Sequence, residues 1–107
     1  MSQNPFMEVF EVIEKRKIEM PENSYTTQLF QKGENQIIKK IGEETAELIM
    51  AAAKKNRTGL IYETADLFYH IFVLLANEGI HFEEIEKELK RRMGVSGLEE
   101  KANRKEK

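Results

Sequence analysis

The sequence predicts an all-α fold: a bundle of about four main helices whose core is completed by a second copy of the chain. Apolar residues recur at helical spacing over long stretches, and the strong chain breakers are few, two Pro and six Gly in 107 residues. The chain is also short for a thick core. A single domain of this size buries only about 65% of the surface its unfolded chain exposes, so help from a partner subunit is expected.

Asn4 before Pro5 is a helix-opening pair, because Asn accepts from free amides and Pro suits the first helical position. Phe6, Val9, Phe10 and Ile13 follow at helical spacing, and that helix is expected to end before Pro21. Ser24 is placed to cap a short segment carrying Tyr25, Leu29 and Phe30, with Gly33 as its left-handed stop. From Glu34 to about Asn56, the residues Ile38, Ile41, Leu48, Ile49 and Ala52 share one side of a helix at roughly 100° per residue. Asn56 to Gly59 reads as a turn, Thr58 as the cap of a helix from about Gly59 to Asn77, and Gly79 as its stop. A last amphipathic helix carries Phe82, Ile85, Leu89 and Met93 and closes at Gly94. On this reading residues 1–94 form one domain, and Val95 to Lys107 is a charged, solvated tail.

Seventeen basic against nineteen acidic residues leave a formal charge of −2, so nothing draws the chain generally toward nucleic acid or anionic lipid. The absence of cysteine excludes disulfides, thiolate metal sites and cysteine nucleophiles. No secretory h-region opens the sequence, and the apolar run Ile71 to Ala76 is too short to span a bilayer, so a soluble cytoplasmic protein is expected.

The chemistry is written in acids. Lys40, Glu43, Glu44 and Glu47 sit at i, i+3, i+4 and i+7, on one narrow helix face. Three carboxylates within two turns repel by a few tenths of a kcal/mol per exposed pair, and one lysine does not balance them. The next helix is apolar round nearly its whole circumference, which predicts burial, yet it carries Glu63, Asp66 and His70 at i, i+3 and i+7. Removing an unpaired carboxylate from water costs several kcal/mol, comparable with much of the roughly 5 to 15 kcal/mol that holds a domain folded. If the two helices pack antiparallel, Glu44 and Glu47 converge with Glu63 and Asp66 from opposite sides. Four hard oxygen donors suit Mg²⁺, with Mn²⁺ as a substitute, and Mg²⁺ completes its shell with water and phosphate oxygens. The expected ligand is therefore a small polyphosphate, a nucleotide.

Glu44-x-x-Glu47 followed, after residues 48–62, by Glu63-x-x-Asp66 resembles the signature of the MazG-like all-α nucleotide pyrophosphohydrolases. A longer set of residues is similar to the phosphoribosyl-ATP pyrophosphohydrolase family: Ser24-Tyr25-Thr26, Gly33, Lys40-x-Gly42-Glu43-Glu44, and Glu63-x-Ala65-Asp66-Leu67-x-Tyr69-His70. Ser96-Gly97-Leu98-Glu99-Glu100 resembles that family's ending, so the tail is also a candidate for contact with substrate or partner. Thr45, where the family often has Ala, is a mild departure.

The resemblance implies a homodimer whose four acids bind Mg²⁺ and whose substrate is phosphoribosyl-ATP, cleaved by water at the α,β-phosphoanhydride to phosphoribosyl-AMP and pyrophosphate. In many organisms that activity is fused to a cyclohydrolase with a cysteine zinc site; this chain has the look of the monofunctional form. Glu43 is the candidate to orient or deprotonate the water, or to support a ligand from behind. Lys40, Lys32 and Arg91 are candidates for phosphate contacts, Tyr25 for sugar or base, and His70 for a supporting role at the substrate. Two other readings share the pattern: a relative that hydrolyses free nucleoside triphosphates, and a helical dimerisation module without enzymatic activity. A di-iron bundle does not, since it needs two Glu-x-x-His pairs.

Overall fold

The computed structural model describes residues 4–94 and 97–104, and among them every regular element is a helix. In chain order these are α1 (Pro5–Glu19), α2 (Tyr25–Lys32), α3 (Glu34–Ala53), α4 (Arg57–Asn77), α5 (Phe82–Met93) and α6 (Gly97–Arg104). Four have twelve or more residues, matching the expected main helices.

Local chemistry sets the boundaries. The Asn4 side chain accepts from the Phe6 amide at 2.9 Å, and Met20 closes α1 in a left-handed conformation one residue before Pro21. Ser24 Oγ accepts from the Thr27 amide at 3.1 Å and opens α2. Gly33 joins α2 to α3 with φ 94° and ψ −176°, an extended positive-φ conformation open in practice only to glycine, rather than the left-handed stop expected.

The cap of α4 differs from expectation. Asn56, not Thr58, is the N-cap, accepting from the Gly59 amide at 3.0 Å, and the helix starts at Arg57. Lys55, at φ 58°, turns the chain so that Asn56 arrives in the extended conformation a cap needs. A Cβ on Gly59 would stand 2.5 Å from the capping side chain, which explains glycine in the first turn.

α3 and α4 pack as an antiparallel hairpin, α1 lies against α4, and α2 bridges them. Phe10, Ile13, Leu29, Ile37, Phe72, Val73, Ala76 and Phe82 form the core. Its centre is aromatic: Phe72 meets Phe10 at 5.7 Å and Phe82 at 5.6 Å between ring centroids, both edge to face. Lys17 Nζ donates to the Ala76 carbonyl at 2.7 Å, placing a cation at the negative end of α4.

Two expected faces are corrected. On α3 the buried line is Ile37, Glu44 and Ala51, spaced by heptads, whereas Ile38 and Ile49 are exposed. The hairpin partner packs on a line rotated from the most apolar one. On α4 burial is confined to His70, Phe72, Val73 and Ala76; Leu60, Ile61 and Phe68 are exposed, because one chain covers only one side of this helix. By length and composition alone α4 is apolar enough to cross a membrane, but here it is the central helix of the bundle. The tail too is ordered where described: residues 97–104 form α6, while residues 95, 96 and 105–107 lie outside the described residues.

Asn56→Ala should lower unfolding stability by about 1 kcal/mol in a denaturant titration, whereas Thr58→Ala, an exposed change within the first turn, should stay within about 0.5 kcal/mol of the parent.

Candidate metal centre

The tight turn between α3 and α4 brings the two acid stripes face to face. Glu44, Glu63 and Asp66 each offer a carboxylate oxygen, and these three oxygens lie within 4.8 Å of one another. Glu44 is only 7% exposed, and Glu63 and Asp66 are half-buried. Oε1 of Glu44 and Oε1 of Glu63 are buried with no hydrogen-bond partner. Buried polar atoms nearly always have partners, so two unpartnered acid oxygens within one cluster fit a cation. All donors are hard oxygens, which suit a hard divalent cation over a soft metal.

Glu47 stands outside this trio. It is exposed, one turn beyond Glu44, and shares with Glu63, Met50 and Lys54 an open cleft of about 220 Å³. Its carboxyl still reaches Glu63, and the electrostatics show it. Burial first, then hydrogen bonds and charge from Glu44 and Glu47, push the Glu63 carboxyl up to about 7. Glu44 is raised as well, by burial first and by the nearby Asp66 and Glu47 charges, against the opposing hydrogen bond from Glu63 and the charge of Lys40. The Glu63 carboxyl thus titrates close to neutrality, where a proton and a cation compete to offset the cluster's charge.

The remaining sequence candidates divide. Glu43 is exposed, and its Oε1 is 3.4 Å from Lys40 Nζ, an ion pair along the helix face. Tyr25, at the start of α2, stands over the stripe. Burial raises its phenol above the usual range, with Lys40 opposing and the Glu44, Asp66 and Glu43 charges adding. Lys40 is held protonated chiefly by the Tyr25 oxygen, then by Glu43 and Glu44, against partial burial. His70 is buried, with Nδ1 2.9 Å from the Asp66 carbonyl oxygen and Nε2 2.9 Å from Tyr25 Oη. Lys32 is exposed at the far end of α2, seven residues from Tyr25 and so on its face. Arg91 forks onto Glu88 of its own helix at 3.2 and 2.8 Å.

Sequence reasoning missed the seam that fastens α2 to α4, where Tyr25 meets His70 and Thr26 meets Tyr69 through their hydroxyls. The signal was present as two neighbouring polar pairs, Tyr25-Thr26 and Tyr69-His70, which match in reverse order.

The family model for phosphoribosyl-ATP pyrophosphohydrolase matches residues 6–93, nearly all of the helical bundle. The chain belongs to the phosphoribosyl-ATP pyrophosphohydrolase family. It is 48% identical over 94 residues to the phosphoribosyl-ATP pyrophosphatase of Dechloromonas aromatica, covering 88% of this chain and 87% of that one. To the phosphoribosyl-ATP pyrophosphatase of Methylococcus capsulatus it is 48% identical over 95 residues, 89% of this chain and 90% of that one. The histidine biosynthesis bifunctional protein HisIE of Helicobacter hepaticus shares 53% identity over 98 residues, 92% of this chain but 42% of the longer protein.

The raised Glu63 carboxyl sets a pH dependence. An acid that binds its proton more tightly folded than unfolded stabilises the fold at low pH, and that contribution fades as pH climbs from the ordinary carboxylate range toward about 7. Cation-free protein should therefore lose melting temperature between about pH 5 and pH 8, Mg²⁺ should restore it at the upper end, and Glu63→Gln should flatten this component of the profile.

Proposed function

We propose that this protein hydrolyses phosphoribosyl-ATP to phosphoribosyl-AMP and pyrophosphate, the second step of histidine biosynthesis, with Mg²⁺ at the α3–α4 acid cluster and Mn²⁺ as a substitute. The observation that carries the reading is the trio of carboxylate oxygens from Glu44, Glu63 and Asp66 within 4.8 Å, two of these residues each burying an unpartnered oxygen. Family membership supplies the substrate class.

Glu44, Glu63 and Asp66 would hold the cation, with Glu47 at the rim beside Glu63 as a fourth carboxylate. A divalent ion held there would supply neutralisation of polyphosphate charge. The chain's own residues do the rest. Lys40, paired along the helix face with Glu43 at 3.4 Å, meets a phosphate oxygen at the edge of the stripe. Glu43, outside the oxygen trio and 3.4 Å from Lys40, takes the proton of the attacking water or supports a ligand from behind. Such hydrolysis depends on charge neutralisation and alignment more than on covalent participation, which suits a site made of acids, a lysine and a tyrosine.

A second copy of the chain covers the open side of the hairpin. Ile38, Ile49, Leu60, Ile61 and Phe68 are exposed in one chain, a patch that suits burial against another molecule. Residues 1–94 constitute the enzyme domain, a division supported by a family match that ends at residue 93.

Purified protein with Mg²⁺ should release pyrophosphate from phosphoribosyl-ATP and be at least a hundredfold less efficient on a panel of ordinary nucleoside triphosphates. Comparable rates across that panel would replace the specific substrate by free triphosphates. Glu44→Gln and Asp66→Asn should each lower kcat/KM by about 10² to 10³ with helicity unchanged, the usual cost of losing an electrostatic stabiliser. Ile61→Glu, 60% exposed in the single chain, should shift a light-scattering mass from dimer toward monomer.

A further inference from the structure

Two adjacent hydrogen bonds fasten α2 to α4, and they do different work. The Thr26 hydroxyl, 1% exposed, meets the Tyr69 hydroxyl, and Thr27 and Leu29 are buried beside it. That side of α2 docks the helix. Tyr25, one residue earlier, is 49% exposed over the acid stripe, with its oxygen 2.9 Å from His70 Nε2. The second bond, at the exposed edge of that seam, sets the direction of the Tyr25 O–H.

The direction follows from the far side of the imidazole. His70 Nδ1 lies 2.9 Å from the Asp66 main-chain oxygen, and a carbonyl oxygen only accepts, so Nδ1 carries the hydrogen. In the neutral ring Nε2 is then a lone pair, and the Tyr25 O–H donates to it. A phenol has one hydrogen. What Tyr25 presents to the site is lone pairs alone, beside the Lys40 ammonium and the Glu44, Asp66 and Glu43 carboxylates.

We propose that His70 is a positioning residue that commits the Tyr25 hydroxyl to accepting, and that Tyr25 recognises a sugar hydroxyl of the substrate and not a phosphate oxygen. A phosphate oxygen offers lone pairs of its own and finds no donor there, whereas a ribose O–H does. Lys40 marks the phosphate side of the site and Tyr25 the sugar side. The inference rests on the phosphoribosyl-ATP reading given above.

Imidazole ¹⁵N spectra of the full-length protein at neutral pH should show His70 as the Nδ1–H tautomer, with the Nε2 resonance moving in Tyr25→Phe. In steady-state assays with phosphoribosyl-ATP and Mg²⁺, Tyr25→Phe should lower kcat/KM about 3- to 10-fold, the loss of one neutral hydrogen bond, and mostly through KM. His70→Phe should match it, the double variant should be no worse than either single one, and His70→Gln, which keeps an acceptor, should recover part of the loss. Tyr69→Phe should lower the melting temperature and leave KM at the parent value. An Nε2–H ring, an imidazolium, an unchanged KM in Tyr25→Phe, or losses that multiply in the double variant would each overturn the proposal. Weaker Mg²⁺ binding by Tyr25→Phe without nucleotide would do so too, assigning the lone pairs to water on the cation. If His70→Phe does not fold, the half-exposed Tyr25 position and the tautomer spectra still decide. A parent protein inert on phosphoribosyl-ATP would defeat the functional reading alone, because the spectra test the hydrogen-bond direction without turnover; an active parent with a silent Tyr25→Phe would defeat only this inference.

Discussion

Like charges held close in a poorly solvated cleft are the constraint around which this protein is built. Glu44, Glu63 and Asp66 bring oxygens within 4.8 Å of one another, and neither the Glu44 nor the Glu63 Oε1 has a hydrogen-bond partner. Folding alone gives no reason to assemble such a group, since burying unpaired carboxylates opposes stability. The Glu63 carboxyl, pushed up to about 7 by burial and by its acidic neighbours, shows the cluster's default response, which is to favour a proton where nothing else offsets the charge.

The scaffold follows from that constraint. Two long helices joined by a three-residue connection must lie antiparallel, and the Asn56 cap with Gly59 beneath it fixes where α4 begins and hence the register of Glu63 and Asp66 against Glu44. The aromatic centre of Phe10, Phe72 and Phe82 lies one to two turns further along α4, so the apolar part of that helix anchors what its acidic part exposes. α2 is laid over the seam by Thr26, Thr27 and Leu29, and this placement puts Tyr25 above the acids rather than into the core.

Much of this was legible in the residues. Asn4-Pro5, Ser24, Gly33 and Gly94 marked boundaries because capping and positive-φ conformations are local chemistry. The i, i+3 acid pairs on neighbouring helices come together in three of their four members, Glu44, Glu63 and Asp66, since the periodicity of a helix fixes which side chains share a face. The failures came where tertiary geometry decides. Asn56 and Thr58 are both competent caps, and only the left-handed Lys55 settles between them. Periodicity gave α3 an apolar face but not its rotation: Ile37 is buried and Ile38 exposed, a difference of one position that depends on where α4 lies. The Tyr25–His70 bond joins residues 45 apart, beyond any local pattern.

The exposed apolar residues finally tie the site to the assembly. α4 is apolar on nearly every side, yet one chain deeply buries only His70, Phe72, Val73 and Ala76 of it, and the uncovered part, Leu60, Ile61 and Phe68, lies on the same turns as Glu63 and Asp66. Whatever covers that surface also excludes water from the back of the acid cluster, lowering its effective dielectric and strengthening every charge interaction within it. A second copy on this face, as proposed above, would do more than thicken a thin core. It would sharpen the preference of the acids for a cation over bulk water, so that assembly and catalysis would draw on the same helix.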